Sequence, residues 1–180
     1  MNRAVFLDRD GTMCPDLPYL DESDKLELFP GAAEAIRRLR DAGFKVVIVT
    51  NQSGVGRGYF TLDSLAAVHA RLRSLLREAG TDYDALYYCP HAPDEGCDCR
   101  KPSTGMIDRA VDELSISLDG SYIVGDDSVD IELGRNAGLR SILVLTGHGK
   151  DCKSSAQSDA VVDDLEKAAE WILKGSSDNG

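Results

Sequence analysis

Short apolar runs alternate with amphipathic segments along this chain, and the alternation restricts the folds that it can adopt. The apolar runs have the length of strands, whereas the amphipathic segments have the length and spacing of helices. This pattern is typical of the α/β class, in which a Rossmann-like parallel sheet carries helices on both faces. We predict strands near 4–8, 44–50, 85–89, 121–125, 140–145 and 159–162, and helices near 32–42, 62–79, 105–116, 128–137 and 163–174.

The chain has 180 residues, which suits one domain with a core of its own. We predict a single domain over 1–174 and a disordered tail over 175–180, where the sequence is GSSDNG. The segment from Met13 to Phe29 is too long for a tight turn and too short for a second domain. We therefore expect it to form a flap beside the first strand.

The formal net charge is −11 and there is no basic stripe, which disfavours a nucleic-acid partner. No apolar stretch has the length of a signal region or a membrane span, so we expect a cytoplasmic protein with no membrane partner. Five cysteines in that compartment favour metal binding or thiols over disulfides. We also expect a monomer.

Two aspartates, Asp8 and Asp10, follow the first predicted strand in the sequence FLDRDGT. Period-two alternation places them on the same side, where the strand gives way to a loop. Two carboxylates this close favour a divalent metal, which neutralises them and orients a phosphate. The pair therefore indicates chemistry on a phosphate group.

Polar residues also follow the other strands, and the carboxyl ends of parallel strands meet at one crevice. We interpret this crevice as a site of phosphate-ester hydrolysis. Asp8 attacks phosphorus to give an aspartyl-phosphate, and Asp10 protonates the leaving oxygen and later activates water. The Asp8 carboxylate, the Asp10 carbonyl and Asp126 are predicted to hold Mg²⁺. Thr50 offers a hydroxyl to a phosphoryl oxygen, and Lys101 supplies positive charge.

The sequences DRDGT, TN, RKP and GDDSVD occur in the order of the four motifs of the haloacid dehalogenase-like phosphatases. From residue 4 to about 150 the chain resembles that family. The resemblance implies the catalytic roles given above, with Asp126 as a metal ligand and Asp127 or Asp130 as a further one. The sequence has no segment for a large cap domain, so we expect an open active site in which loops supply the specificity.

A second cluster lies in the sequence CPHAPDEGCDC, which offers Cys89, His91, Cys97 and Cys99. Three thiolates and one imidazole match a closed tetrahedral zinc site, which is structural because no position is left for water. Zinc at this site would rigidify the long polar loop 89–99, called the zinc loop below. It would also fix the direction of Arg100 and Lys101, which follow the last ligand.

The zinc loop narrows the resemblance to two branches of the family, which differ in substrate. One removes the 7-phosphate of D-glycero-D-manno-heptose 1,7-bisphosphate, and the other hydrolyses histidinol phosphate. The stretch TNQSGVGRGYF and Tyr19 are similar to the first branch. The five-residue gap between His91 and Cys97 is similar to the second.

We expect the heptose bisphosphate to be the substrate, because the guanidinium groups of Arg57 and Arg100 can hold a second dianion. Histidinol phosphate carries a cation, for which Asp16, Asp94 and Glu95 offer carboxylates. The predicted substrate-binding residues are Asn51, Gln52, Ser53, Arg57, Arg100, Asp16 and Tyr19. A non-catalytic zinc-stabilised binding module is the alternative class, and the presence of both aspartates of DRDGT argues against it.

Overall fold

A computed structural model describes residues 1–154 and 157–177 of the chain. Six strands form one parallel sheet in this part. They are β1 (Asn2–Leu7), β2 (Lys45–Asn51), β3 (Ala85–Cys89), β4 (Ile116–Gly125), β5 (Arg140–Val144) and β6 (Ala160–Val162). Their spatial order is β3-β2-β1-β4-β5-β6. The predicted parallel α/β sheet is confirmed.

Helices cover both faces of the sheet, again as predicted. They are α1 (Ala32–Asp41), α2 (Leu62–Glu78), α3 (Gly105–Leu114), α4 (Ser128–Ala137), α5 (Gly149–Cys152) and α6 (Leu165–Ser177). Because side chains alternate along a strand, Val5 and Leu7 join the core beneath α1, α2 and α6, whereas Ala4 and Phe6 join the core beneath α3 and α4. No large cap domain appears among the described residues. None of the helices described is long and apolar enough to cross a membrane.

The direction of winding changes at β1. The chain proceeds from β1 to β2 and β3 on one side of the sheet, and from β4 to β5 and β6 on the other. A crevice opens between the carboxyl ends of β1 and β4, because the connections leave this point in opposite directions. Asp8 directly follows β1 and Asp126 directly follows β4, so both lie at this crevice.

Two boundaries between α3 and β4 differ from the prediction. The helix ends at Leu114, because Ser115 adopts a left-handed conformation with φ 52°, and β4 begins at Ile116 rather than near 121. The pairing with β1 then shifts register, and Gly120 has φ 74° in the interrupted stretch. Such an irregularity breaks the period-two pattern from which a strand is recognised.

The last helix, α6, is longer than predicted, and the short helix α5 was not predicted. Helix α6 extends to Ser177, three residues past the predicted end at 174, so it takes up the first half of the predicted tail. The rest of that tail, 178–180, lies outside the described residues. Helix α5 has only one turn, which is too short for a periodic signal in the sequence.

The predicted flap, Met13–Phe29, is tied down at its base. The Phe29 amide donates a hydrogen bond to the Met13 carbonyl oxygen at 2.9 Å. Leu20 and Leu26 are buried in the core next to α2, and a single 3-10 turn covers Ser23–Lys25. The exposed part of the flap therefore stands on an anchored base beside the crevice.

Candidate active site

The crevice brings together most of the predicted site residues. Its volume is about 320 Å³, and it is lined by Asp8, Asp10, Asp16, Thr50, Asn51, Ser53, Arg100, Lys101, Asp126 and Asp127, together with Val129, Asp130 and His148. These residues come from the ends of several strands and from the loops that follow them, as the topology requires. Among the residues that the structure describes, no cap domain covers the crevice.

Asp8, the predicted nucleophile, lies in a buried ion-pair network. The Lys101 Nζ atom lies 2.6 Å from Asp8 Oδ1 and 2.6 Å from Asp130 Oδ1. All three residues are buried. Burial raises the pKa of Asp8, and the positive charge of Lys101 partly offsets that rise. For Lys101, burial lowers the pKa, but the carboxylates of Asp130 and Asp8 outweigh burial and raise it overall.

The backbone around Lys101 is held by Asn51. The Asn51 Nδ2 atom donates to the Lys101 carbonyl oxygen at 3.3 Å, and the Lys101 amide donates to Asn51 Oδ1 at 3.0 Å. This two-point contact joins the end of β2 to the RKP loop. Asn51 was predicted to bind substrate, and its side chain is used here to position the lysine.

Three buried carboxylates form a cluster that suits a hard cation. One oxygen from each of Asp8, Asp126 and Asp130 lies within 4.8 Å of the other two. Burial raises the pKa of Asp126 to about 6, partly offset by a hydrogen bond from the His148 amide. Oxygen ligands and concentrated negative charge are what Mg²⁺ prefers. The donor set therefore fits the predicted magnesium.

Two glycines allow the backbone to approach this cluster. A Cβ atom built at Gly11 would lie 2.2 Å from Asp126 Oδ2, and one built at Gly147 would lie 2.1 Å from the same atom. Both glycines also have positive φ, 81° and 49°. Any other residue at Gly11 would push Asp126 out of the cluster, so the glycine of DRDGT has a steric role.

The two aspartates that follow Asp126 in the motif have different roles. Asp127 is the N-cap of α4, and its side chain accepts a hydrogen bond from the Val129 amide at 3.1 Å. Asp130, one helical turn later, reaches back to the Asp127 amide and also contacts Lys101. Of the two candidates for a further metal ligand, Asp130 is therefore the one that lies with Asp8 and Asp126.

Asp10, the predicted acid and base, is held by donors outside the carboxylate cluster. Arg9 contacts both of its oxygens, at 3.0 and 2.8 Å. The Gln52 Nε2 atom donates to Asp10 Oδ2 at 2.8 Å and to Thr50 Oγ1 at 2.9 Å. Sequence reasoning overlooked Arg9. A charged residue between two aspartates at the end of a buried strand is the signal that could have identified it.

The four predicted zinc ligands lie around one point. The Cys89 Sγ atom is 3.5 Å from Cys97 Sγ, which is 3.6 Å from Cys99 Sγ, and His91 Nδ1 is 3.3 Å from Cys99 Sγ. A tetrahedral site with Zn–S bonds of about 2.3 Å has edges of about 3.8 Å, slightly longer than these separations. The donor types and their spacing therefore fit zinc.

The zinc loop also supports the segment 52–60, which carries predicted substrate-binding residues. The Gln52 amide donates to the Cys89 carbonyl oxygen at 2.7 Å, and the Gly56 amide donates to the Pro90 carbonyl oxygen at 2.8 Å. A Cβ atom at Gly56 would lie 2.5 Å from the Ala92 nitrogen, so the two loops are in close contact. A metal in the zinc loop would therefore stabilise both this loop and the segment 52–60.

Replacing Cys97 with Ser is expected to reduce the zinc content from about one ion per chain and to lower the thermal midpoint, because binding free energy at a structural site is folding free energy. Elemental analysis and thermal unfolding measure both quantities. Cys152→Ser is the control, since Cys152 lies outside the cluster, and it should leave zinc unchanged. A Cys97→Ser protein with unchanged zinc content and midpoint would contradict the site.

A second cavity, also of about 320 Å³, continues from the crevice beneath the flap. The two cavities share Asp10, Asp16, Asn51 and Ser53, and the second adds Tyr19 and Gln52 from the predicted set. The Tyr19 ring packs against that of Tyr59 with centroids 4.4 Å apart, which joins the flap to the segment 52–60. Across the crevice, His148 Nε2 lies 2.9 Å from Asp16 Oδ2.

The two arginines predicted to hold a second phosphate differ in position. Arg100 lines the crevice, and its Nη1 atom is buried with no hydrogen-bond partner among the described residues. Arg57 is exposed and lines neither cavity. The structure therefore brings Arg100 to the site, and a role for Arg57 stays a prediction.

Comparison with known proteins agrees with this architecture. Residues 5–80 match the family described as haloacid dehalogenase-like hydrolase, and residues 98–168 match a second one described as HAD-hydrolase-like. Relatives at about 40% identity match nearly the whole chain. The chain belongs to the haloacid dehalogenase-like hydrolase family.

Three relatives that match nearly the whole chain are named as heptose bisphosphate phosphatases. A D-glycero-β-D-manno-heptose-1,7-bisphosphate 7-phosphatase of Pseudomonas putida is 40% identical over 95% of this chain and 99% of its own. The Pseudomonas aeruginosa protein of the same name is 40% identical over 97% and 100%. The crystal structure of D,D-heptose 1,7-bisphosphate phosphatase from B. bronchiseptica, complexed with magnesium and phosphate, is 36% identical with a TM-score of 0.90 over 96% of this chain and 99% of that one.

Proposed function

We propose that this protein is a phosphatase that removes the 7-phosphate of D-glycero-D-manno-heptose 1,7-bisphosphate. The observation that carries the proposal is the contact of Lys101 with Asp8 at the switch point of the sheet, beside a cluster of three carboxylates. A buried cation held against a carboxylate creates a place where a phosphoryl group meets a nucleophile and a positive charge together. The names of the full-length relatives support the substrate.

The reaction proceeds in two displacements. An Asp8 oxygen forms a bond to phosphorus, the bond from phosphorus to the sugar oxygen breaks, and Asp10 gives its proton to that oxygen. A water oxygen then attacks the same phosphorus, Asp10 takes the proton of the water, and the bond from phosphorus to Asp8 breaks. Inorganic phosphate leaves, and both aspartates return to their starting states.

The other polar groups of the site bind the phosphoryl oxygens or the metal ions. Lys101 and the Thr50 hydroxyl hold the phosphoryl oxygens, and Asp8, the Asp10 carbonyl, Asp126 and Asp130 would hold magnesium. Bound Mg²⁺ supplies charge that neutralises the carboxylates and orients the phosphate. Zinc is proposed to stay structural at the four-ligand cluster, since that donor set leaves no open position.

The test of this function is a screen of phosphate release over several esters. Heptose 1,7-bisphosphate, the matching 7-monophosphate, other sugar bisphosphates and histidinol phosphate should be compared at equal Mg²⁺. We expect the heptose bisphosphate to have the highest kcat/KM. Histidinol phosphate as the best substrate would favour the other branch, and no release from any ester would favour the binding module. The cytoplasmic location and the monomeric state stay predictions.

Replacing Arg100 with Ala is expected to lower kcat/KM for the bisphosphate at least about tenfold more than for the 7-monophosphate, because a charge-assisted contact contributes roughly 1.5–3 kcal/mol. Only the bisphosphate loses a partner at its second phosphate. Arg57→Ala is measured in parallel, because Arg57 was also predicted to hold the second phosphate but is exposed and lines neither cavity; its loss on the bisphosphate should be smaller than that of Arg100→Ala. Equal losses on both substrates would assign Arg100 to the reacting phosphate instead.

A further inference from the structure

Arg9 stands between the two aspartates of the motif, and its side chain has the largest volume among the fully buried ones in the described part of the chain. Its exposed fraction is 1%. A guanidinium stays charged when it is buried, so it requires an anionic partner. Strand alternation alone would direct Arg9 away from its neighbours, which is why the sequence does not reveal the partner.

The partner is the adjacent Asp10. Arg9 Nε donates to Oδ1 at 3.0 Å and Nη2 donates to Oδ2 at 2.8 Å, so the two groups meet in a two-point contact. The backbone makes this contact possible, because β1 has ended and the chain turns tightly. The Arg9 carbonyl oxygen accepts hydrogen bonds from the amides of Met13 and Cys14, at 2.9 and 3.3 Å.

Two further donors act on the same carboxylate. Gln52 donates to Oδ2 at 2.8 Å, and the Cys14 thiol lies 3.8 Å from Oδ1. The Gln52 amide group also donates to Thr50, a predicted phosphate ligand. Both oxygens of Asp10 are therefore engaged, and its orientation is coupled to the end of β2.

We infer that Arg9 is a positioning residue for Asp10. The inference rests on the proposed role of Asp10 as acid and base. A parallel two-point contact removes the rotation that a single hydrogen bond would allow. Proton transfer requires the carboxylate to lie within hydrogen-bond reach of the leaving oxygen, so a freely rotating Asp10 would transfer the proton less often. Arg9 also lines the second cavity, and its buried Nη1 atom has no hydrogen-bond partner among the described residues. Its Nε and Nη2 atoms both contact Asp10, so we expect Arg9 to act through Asp10.

The test compares two esters that differ in their need for a proton. An alkyl phosphate has a poor leaving group that must be protonated, whereas p-nitrophenyl phosphate has a good one that leaves as an anion. Asp10→Asn should raise the ratio of kcat/KM for p-nitrophenyl phosphate to kcat/KM for the alkyl phosphate, because kcat/KM reports the step in which the ester bond breaks. Arg9→Met should raise this ratio about tenfold or more, because small displacements of a catalytic group have effects of that size. Arg9→Lys, which keeps the positive charge but cannot make the two-point contact, should give an intermediate ratio.

Two features separate positioning from a merely structural role. Both esters are measured on one preparation, so any unfolded fraction cancels in the ratio. The double variant Arg9→Met with Asp10→Asn should have the ratio of Asp10→Asn alone, because Arg9 has no acid or base left to position. Gln52→Met removes a second donor without leaving a buried charge and should shift the ratio in the same direction. Arg3→Met replaces an exposed arginine on β1; it is the control and should leave the ratio unchanged.

The outcomes have separate meanings. An unchanged ratio in Arg9→Met and Arg9→Lys, with a raised ratio in Asp10→Asn, overturns the inference and leaves the proposed mechanism intact. A ratio that rises further in the double variant also overturns the inference, since Arg9 would then act independently of Asp10. An unchanged ratio in Asp10→Asn overturns the acid and base role, and with it the inference.

Discussion

The Asp8→Asn protein is expected to release phosphate at least about 10³-fold more slowly than the unaltered enzyme, because an amide is a far weaker nucleophile than a carboxylate. Asparagine has nearly the same size, and Lys101 keeps its contact with Asp130, so the fold should survive. Steady-state phosphate release and circular dichroism measure the two expectations. Asp8 is the residue whose loss removes the first bond-forming step.

A second measurement decides whether Asp8 acts as the nucleophile. In a crystal structure with a metal fluoride that mimics the phosphoryl group, the central atom should lie against an Asp8 oxygen. Water in line with the central atom instead would contradict the covalent route. Asp41→Asn is a suitable control for the kinetics, because Asp41 is exposed at the end of α1 and far from the crevice in the fold.

Replacing Lys101 with Met is expected to lower both activity and stability. The phosphoryl group loses a positive charge, for which a decrease of about 10²–10³ in kcat is typical of a lost electrostatic contact. The carboxylates of Asp8 and Asp130 also lose their shared cation, and breaking a buried ion pair lowers the free energy of unfolding by roughly 3–5 kcal/mol. Phosphate release in the presence of Mg²⁺ measures the first effect, and urea unfolding in Mg²⁺-free buffer measures the second.

Lys45→Met is the matched control for this lysine. Lys45 pairs with Asp84 at 2.9 Å, but its side chain is 38% exposed, at the opposite end of β2. This pair is only partly buried, so the variant should retain its activity and lose much less stability than Lys101→Met. If Lys101→Met had the same activity and stability as Lys45→Met, the ion pairs of Lys101 with Asp8 and Asp130 would contribute neither to catalysis nor to stability.

Much of the fold could be predicted because it depends on local pattern. Period-two and helical spacing indicated the strands and helices, and the parallel arrangement followed from their alternation. The predicted end of α3 was wrong because Ser115 ends the helix in a left-handed conformation. The predicted start of β4 was wrong because the register shift between β4 and β1 interrupts the period-two alternation. Backbone irregularities of this kind depend on the neighbouring strand, which a single segment of sequence does not reveal.

Part of the candidate site could also be predicted from the sequence. Motif spacing and strand ends were enough to predict that Asp8, Thr50, Lys101 and Asp126 would meet, since parallel strands place their carboxyl ends at one edge. The cysteine and histidine spacing likewise predicted four ligands around one point, and the structure brings them together. Roles for these residues remain to be tested by the substitutions above.

Only the tertiary structure decided which charged groups pair. Asp130 rather than Asp127 joins the carboxylate cluster, because Asp127 caps α4 and one helical turn brings Asp130 back to Lys101. Arg9 turns onto Asp10, its neighbour in sequence, because the chain bends after β1. The sequence determines which residues arrive at the crevice through strand order, but the direction of each side chain depends on packing and hydrogen bonds from segments far apart in the chain.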